Sequence, residues 1–276
     1  MLKMVRNELL KMFSGKRMYI FIVISFLYVI GTLFSTKHMI ENVDTIKAQI
    51  PANLNVPDVP EIVLNGFSAT AITLDGVSSF LLIVYVIVLA ASSITDEYRN
   101  GTLKMPLLQG VTRAAIICSK LMALSTVIVF FLFFNFIVTI ISGSYLFGFG
   151  QQFILKHPSY GEVKLSVFEG IGALLQMNGA TLLFLLAIAA IVMYISIKID
   201  STANAIGIGV GLLLAINIIG SLGLFINPYF IFGYTKFHEK ILNQDGVLLG
   251  IVVLLTHFGL FAVLSLYDFK KKDIVH

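Results

Sequence analysis

Residues 116–141 read IICSKLMALSTVIVFFLFFNFIVTII, and this stretch decides the fold class. Its only charged residue is Lys120, close to its start. A helix needs about 20 mostly apolar residues to cross a hydrocarbon core of about 30 Å. Backbone N–H and C=O groups inside lipid must be satisfied within their own segment. We therefore predict a membrane-spanning helix here.

Five further stretches share this apolar character and this length. They are residues 19–36, 76–95, 171–197, 204–226 and 247–267. The whole chain of 276 residues is 58% hydrophobic and 12% charged, with a mean hydropathy of +0.94. So few charges cannot cover a soluble globule of this size. The sequence predicts an all-α polytopic membrane protein, with residues 1–276 forming one transmembrane domain of six transmembrane helices.

The distribution of lysine and arginine predicts the orientation in the bilayer. With the N-terminus inside, thirteen of the 19 basic residues fall on the cytoplasmic side and six fall outside. An excess of basic residues marks cytoplasmic loops. We expect a multi-pass protein of the plasma (cell) membrane whose N- and C-termini are both cytoplasmic. The segments 37–75 and 142–168 are then external loops, and Pro51, Pro57 and Pro60 argue against a continuous helix in the first.

Residues 1–17, MLKMVRNELLKMFSGKR, combine an apolar stripe with basic residues. Leu2, Val5, Leu9 and Phe13 recur at helical spacing, and Gly15 allows a turn into the first span. This pattern predicts an amphipathic helix in the inner headgroup region. The alternative is a basic flank that only sets the topology.

Residues 96–120 read DEYRNGTLKMPLLQGVTRAAIICSK and lie between the second and third predicted spans. The stretch mixes charged residues with the apolar Leu103, Met105, Leu107 and Leu108. A short helix with a mixed surface for a protein partner has this composition. The alternative is an ordinary solvated loop.

This stretch resembles the permease subunits of type-2 ABC transporters. The similar features are an acidic residue (Glu97), a Gly-Thr-Leu (Gly101–Leu103), a Leu-Leu pair (Leu107–Leu108), a Thr-Arg pair (Thr112–Arg113) and a following lysine (Lys120). The six spans, the basic amphipathic N-terminus and the cytoplasmic ends extend the resemblance over the whole chain. Where the family usually has a proline before the Thr-Arg pair, this chain has Gly110-Val111.

The resemblance implies the membrane subunit of an ATP-driven ABC exporter. Residues 96–115 become a cytoplasmic coupling segment that contacts a dimer of ABC ATPase subunits. A second permease copy, identical or a sister chain, completes the unit. The residues it assigns to ATPase coupling are Glu97, Arg99, Gly101, Thr102, Leu103, Leu107 and Arg113. Glu97 and Arg99 are expected to pair or to contact the ATPase, and Leu103 to fill an apolar pocket.

The chain carries no phosphate-binding loop, because Leu10 stands where the first glycine before Gly15-Lys16 is required. We therefore expect no enzymatic activity, no catalytic residues and no cofactor in this chain, with ATP and Mg²⁺ held by the partner ATPase. The five histidines lack the spacing of metal ligands. The largely uncharged spans favour an amphipathic peptide or a hydrophobic compound as cargo, and nucleic acid is not an expected partner.

Two other functional classes stay open. A secondary transporter driven by an ion gradient usually buries charged residues at mid-membrane, and here His257 is the one clear ionisable group at depth. A membrane scaffold or sensor partner would move no cargo at all.

The fifth predicted span contains a GxxxG pair, Gly207 and Gly211, which permits close approach of two helices. Packing inside the bundle and an interface between two permeases are both open. Asn135, Asn178, Asn204 and Asn217 are expected to bond across helices or to line a path.

Overall fold

The structure is a computed structural model that describes residues 1–49, 65–150, 152–157, 161–221, 228–242 and 246–272. Over these residues it is almost entirely helical. The ten α-helices are α1 (Leu2–Ser14), α2 (Lys16–Gln49), α3 (Gly66–Gly76), α4 (Leu82–Arg99), α5 (Lys104–Leu108), α6 (Arg113–Phe147), α7 (Val167–Lys198), α8 (Thr202–Ser221), α9 (Phe237–Leu242) and α10 (Val247–Lys271). A π-helical turn, Val77–Leu81, joins α3 to α4, and a 3₁₀ turn, Ile231–Tyr234, precedes α9.

Four helices in the described part of the chain are long and apolar enough to cross a membrane. They are Lys16–Asn42 of α2, Arg113–Phe147, Val167–Lys198 and Val247–Lys271. The chain is therefore a predominantly α-helical membrane protein. The predicted span 76–95 lies within the helical stretch that runs from α3 through α4. The predicted span 204–226 coincides with α8, and its last residues, 222–226, lie outside the described residues.

The first long helix extends beyond its predicted end. We expected a loop from residue 37, but α2 continues to Gln49. The reason is local: residues 37–49 contain neither glycine nor proline, and Pro51 is the first residue that removes a helical N–H. Pro57 and Pro60 lie outside the described residues, and α3 occupies the last part of the expected loop.

The segment 142–168 holds the two strands of the structure, which sequence analysis did not predict. Strands β1 (Gln152–His157) and β2 (Gly161–Ser166) pair antiparallel, with Gln152 opposite Ser166. Ser166 then begins α7 through a capping box, in which its hydroxyl accepts from the Glu169 N–H and the Glu169 carboxylate accepts from the Ser166 N–H.

The core is built around α4 and α7. Helix α7 packs against α4 and α10, while α6 packs against α3 and α2. Apolar side chains of α4 face its neighbours on nearly every side, so this helix lies at the centre of the bundle. Two short helical pieces, the 3₁₀ turn and α9, pack against α7, and their Tyr234 and Phe237 rings are buried.

Several helices end at one side of the bundle. We call this side the charged end, because it holds the ion pairs of Glu8, Lys11, Glu97 and Lys120. Ion pairs there join α1 to the C-terminus of α4 and to the start of α6. The last described residue, Lys272, donates to the Ile197 carbonyl near the end of α7 and lies over the Tyr98 ring of α4. The chain's first helix and its last described residues therefore lie at the same end of the molecule.

Candidate functional site

Four charged side chains at the charged end form a closed ion-pair cluster. Its members are Glu8, Lys11, Glu97 and Lys120, from α1, α4 and α6. The ammonium of Lys120 lies 3.0 Å from Glu8 and 2.8 Å from Glu97. That of Lys11 lies 3.1 Å from Glu8 and 2.8 Å from Glu97. Each lysine thus contacts both carboxylates, and charges of opposite sign alternate around the ring.

The two lysines of this cluster differ in burial. The Lys120 side chain is 1% exposed, whereas that of Lys11 is 60% exposed. A buried ammonium is stable only when it is paired, so Lys120 requires Glu8 and Glu97. Sequence analysis placed Lys120 at the edge of a span. The presence of its two partners was not predicted, because they come from helices that are distant in sequence.

The cluster changes the acidity of Glu97 and Lys11. Burial by itself raises the pKa of Glu97, but the positive charge of Lys120 and the bonds from both lysines outweigh it and hold the pKa below the ordinary 4.5. For Lys11, burial lowers the pKa, but the hydrogen bond and charge of Glu97 and the charge of Glu8 raise it above the ordinary 10.5. Both groups are therefore held in their charged forms.

A second polar contact lies next to the cluster. Asp96 pairs with Arg17 of α2 at 3.0 Å and accepts a hydrogen bond from the Thr202 hydroxyl of α8 at 2.7 Å. Thr95 in turn donates to Thr202 at 2.8 Å. The C-terminus of α4 is thereby connected to α1, α2, α6 and α8.

Gly101 and Thr102 close α4 with a Schellman motif. The Thr102 N–H donates to the Glu97 carbonyl and the Gly101 N–H to the Tyr98 carbonyl, with Gly101 at a φ of +67°. The same arrangement closes α5: Val111 N–H donates to the Pro106 carbonyl, and Gly110 has a φ of +78°. Gly110 supplies the positive φ that this turn requires.

The two turns orient the five-residue helix α5. Leu103 is 1% exposed and packs in the chain's own core, with the half-buried Leu107 one turn later. The expectation that Leu103 fills a partner's pocket is therefore wrong. Met105 and Leu108 point outward instead, 62% and 83% exposed. Residues four apart share one face of a helix, so Leu103 and Leu107 face the same side.

Two other predicted coupling residues have contacts within the chain. Glu97 binds Lys11 and Lys120 rather than Arg99, whose guanidinium lies 3.9 Å from Asp96. Arg113 donates to three carbonyls at the end of α10, those of Phe269, Lys270 and Lys272, at 2.6–3.1 Å. These are among the carbonyls that a helix C-terminus leaves unbonded, and a cation stabilises that end. Thr112 caps α6 by accepting from the Ala115 N–H.

The glycines of α8 divide between two faces. A Cβ at Gly209 would lie 2.6 Å from Ile87 of α4, so this glycine permits the close packing of α8 on α4. A Cβ at Gly207 or Gly211 would meet no described atom within 4 Å, and both residues are exposed. The GxxxG pair therefore does not pack inside the bundle, and Gly209 between its members does.

The intramembrane polar residues mostly bond within the bundle. Asn135 accepts from the buried Ser25 hydroxyl of α2 at 2.5 Å and thereby links α6 to α2. The Asn178 amide donates to the Leu174 carbonyl, and Asn178 is one of the residues that line a cavity of about 10 Å³, enough for one water. His257 bonds to the Val253 carbonyl of its own helix. Asn204 is exposed at the start of α8, and the Asn217 side chain lies outside the described residues.

No group of three or more His, Cys, Asp or Glu side chains comes together as a metal site among the residues that the structure describes. The chemistry of the charged end is therefore that of lysine and arginine with carboxylates and backbone carbonyls.

Comparison with known proteins gives a family but no activity. No curated protein matches the chain. A family model described as "Protein of unknown function (DUF2705)" matches residues 56–275, which is most of the chain and includes all of α3–α10. The chain belongs to the DUF2705 family.

Proposed function

We propose that this chain is the permease subunit of an ATP-driven exporter of the type-2 ABC class. The observation that carries the proposal is α5. Two Schellman motifs hold this short helix at the charged end, with Leu103 and Leu107 anchored inward and Met105 and Leu108 exposed. An apolar pair on a rigidly held helix is a suitable anchor for a groove on a partner protein.

The six-span, N-in and C-in topology is part of this proposal. Supporting it, α2, α6 and α8 each begin at the charged end, while α4, α7 and α10 each end there. Six helical passages return the chain to the side from which it started. The excess of basic residues on that side favours the cytoplasm.

The partner ATPase, a second permease copy and the cargo are proposals of the same kind. The exposed Gly207 and Gly211 face of α8 is suited to close contact with another permease. The largely uncharged helices favour an amphipathic peptide or a hydrophobic compound as cargo, moved outward. ATP and Mg²⁺ would be bound by the ATPase.

Affinity purification of the full-length chain from its native membrane tests the proposal. We expect a P-loop ATPase to co-purify in stoichiometric amount with the wild-type chain, and to be lost from Leu108→Asp. Phe149→Asp, an exposed apolar position beyond the opposite end of α6, is the matched control and should retain the ATPase. Leu103→Asp is unsuitable, because a buried charge would disturb the fold itself.

Three outcomes would contradict the proposal. The first is a wild-type chain that purifies without an ATPase. The second is cargo flux that occurs in vesicles lacking an ATPase and that an uncoupler abolishes. The third is the absence of cargo flux in vesicles. The second outcome would indicate a gradient-driven transporter, and the third a scaffold or sensor.

A further inference from the structure

A cleft of about 370 Å³ opens at the elbow where α1 turns into α2. Its walls are the C-terminal part of α1, the first turn of α2 and the last turns of α4. Lys11, Lys16 and Arg17 contribute positive charges, and Glu8, Asp96 and Glu97 contribute negative ones. The cleft therefore lies where the amphipathic N-terminal helix meets a helix long and apolar enough to cross the membrane.

One positive charge of this cleft has no ion-pair partner within the described chain. Glu8 and Glu97 are both shared by Lys11 and Lys120, and Asp96 is paired with Arg17. Lys16, however, makes no ion pair with any residue that the structure describes, and it is exposed. An unpaired ammonium at the mouth of the cleft favours an anionic group there.

Below Lys16, an apolar track follows the surface of α2. Ile20, Val23 and Leu27 lie 4, 7 and 11 residues further along the helix and share the face of Lys16. All three are exposed. From Lys16 to Leu27 the track is about 16 Å long at 1.5 Å per residue, which is close to half of a ~30 Å hydrocarbon core.

We propose that the elbow cleft and this track form a binding site for an anionic phospholipid. The lipid phosphate contacts the ammonium of Lys16, with Arg17 beside it, and one acyl chain lies along Ile20, Val23 and Leu27. A soluble phosphate would be held by the same cations. A lipid is the occupant because the track has the length of one leaflet and begins directly below the cation. This inference requires a membrane protein and does not depend on the ATPase.

The chain lacks tryptophan, so one introduced tryptophan reports on this site alone. Tyr19 is exposed one turn from Lys16, and Tyr19→Trp places the indole beside the track. The full-length variant is reconstituted into phosphatidylcholine vesicles that contain either brominated phosphatidylglycerol or brominated phosphatidylcholine. The quenching of indole fluorescence against the mole fraction of brominated lipid gives the relative affinity of the site.

We expect phosphatidylglycerol to quench at a clearly lower mole fraction than phosphatidylcholine. Adding Lys16→Gln should reduce that preference about fivefold, the effect of one basic residue at a membrane surface. Lys16→Arg should retain it. Lys270→Gln, which removes an exposed lysine at the end of α10, is the matched control and should leave it unchanged.

Three results would overturn the proposal: equal quenching by the two brominated lipids, a preference that survives Lys16→Gln, or an equal loss in Lys270→Gln. Soluble glycerol phosphate provides the final arm. If it abolishes the preference at millimolar concentration, the site binds phosphate without the lipid, and the assignment to a phospholipid is wrong.

Discussion

Lys11 and Lys120 show how burial decides what an ion pair contributes. Both contact the same two carboxylates at similar distances. An exposed pair is screened by water and contributes little, whereas removing one partner of a buried pair leaves an uncompensated charge. The two lysines therefore differ in their importance, although their contacts are nearly the same.

Lys120→Met should lower the free energy of unfolding by about 3 kcal/mol, because Glu8 and Glu97 lose their buried counter-charge. Lys11→Met should cost less than about 1 kcal/mol, because that ammonium is largely solvated. Thermal unfolding of the two purified variants in the same detergent measures the difference. Equal decreases in Tm would contradict the assignment of Lys120 as the essential cation.

The cluster also predicts how stability depends on pH. The pKa of Glu97 is lower in the folded chain, so its contribution is complete above pH 4.5 and is lost as the pH falls through the folded pKa. The pKa of Lys11 is raised, so its contribution is complete below pH 10.5 and is lost as the pH rises through the folded pKa. We expect Tm to fall in both ranges. Glu97→Gln should weaken the acidic decrease, and an unchanged acid profile in that variant would exclude Glu97 as its source.

At the scale of single elements, α5 depends on the backbone of the turn that precedes it. Gly101 has a φ of +67°, which costs a residue with a Cβ about 1 kcal/mol or more. Gly101→Ala should therefore destabilise the chain by about 1 kcal/mol, and Gly101→Asn by less, since asparagine tolerates this conformation better. Unfolding in detergent gives both values. If alanine and asparagine have the same effect, the left-handed turn is not the cause.

Helix α8 makes a separate prediction through its glycines. Gly209→Ala should lower stability by about 1–3 kcal/mol, because its new methyl group overlaps the stiff, β-branched Ile87. Gly207→Ala and Gly211→Ala meet no described atom and should be neutral or stabilising, since alanine favours a helix over glycine by up to about 1 kcal/mol. Tm values of the three variants in detergent test this. A loss of stability in Gly207→Ala alone would place that glycine in an interface with another chain.

At the scale of the whole molecule, the charged end connects helices that are distant in sequence. Arg113 joins the start of α6 to the end of α10, Lys198 pairs with Asp268 at 2.8 Å, and Lys272 pairs with Asp200 at 2.8 Å. With the cluster around Lys120, these contacts bring both ends of the described chain to one side.

This arrangement predicts the labelling pattern of single cysteines. After Cys118→Ala, a cysteine replacing Leu108 or Lys270 should react with an impermeant maleimide only once the cells are permeabilised. A cysteine replacing Phe149 should react in intact cells. Labelling of all three from outside, or of Phe149→Cys only after permeabilisation, would contradict the proposed orientation.

Composition and the length of the apolar runs determined by themselves that this is a helical membrane protein, because the polar backbone groups of a segment in lipid must bond within that segment. The turn at Gly15 also follows from a local signal, whereas α6 begins at Arg113, three residues before the predicted span. The extension of α2 to Gln49 was missed because its only local signal is the absence of glycine and proline. The β1–β2 pair was missed because no strong local signal marks it. Only the tertiary structure decided the partners of Lys120, the inward direction of Leu103, the carbonyls bound by Arg113 and the open face of Gly207. These depend on which distant helices meet, and a pattern of three or four residues within one helix carries no information about its neighbours.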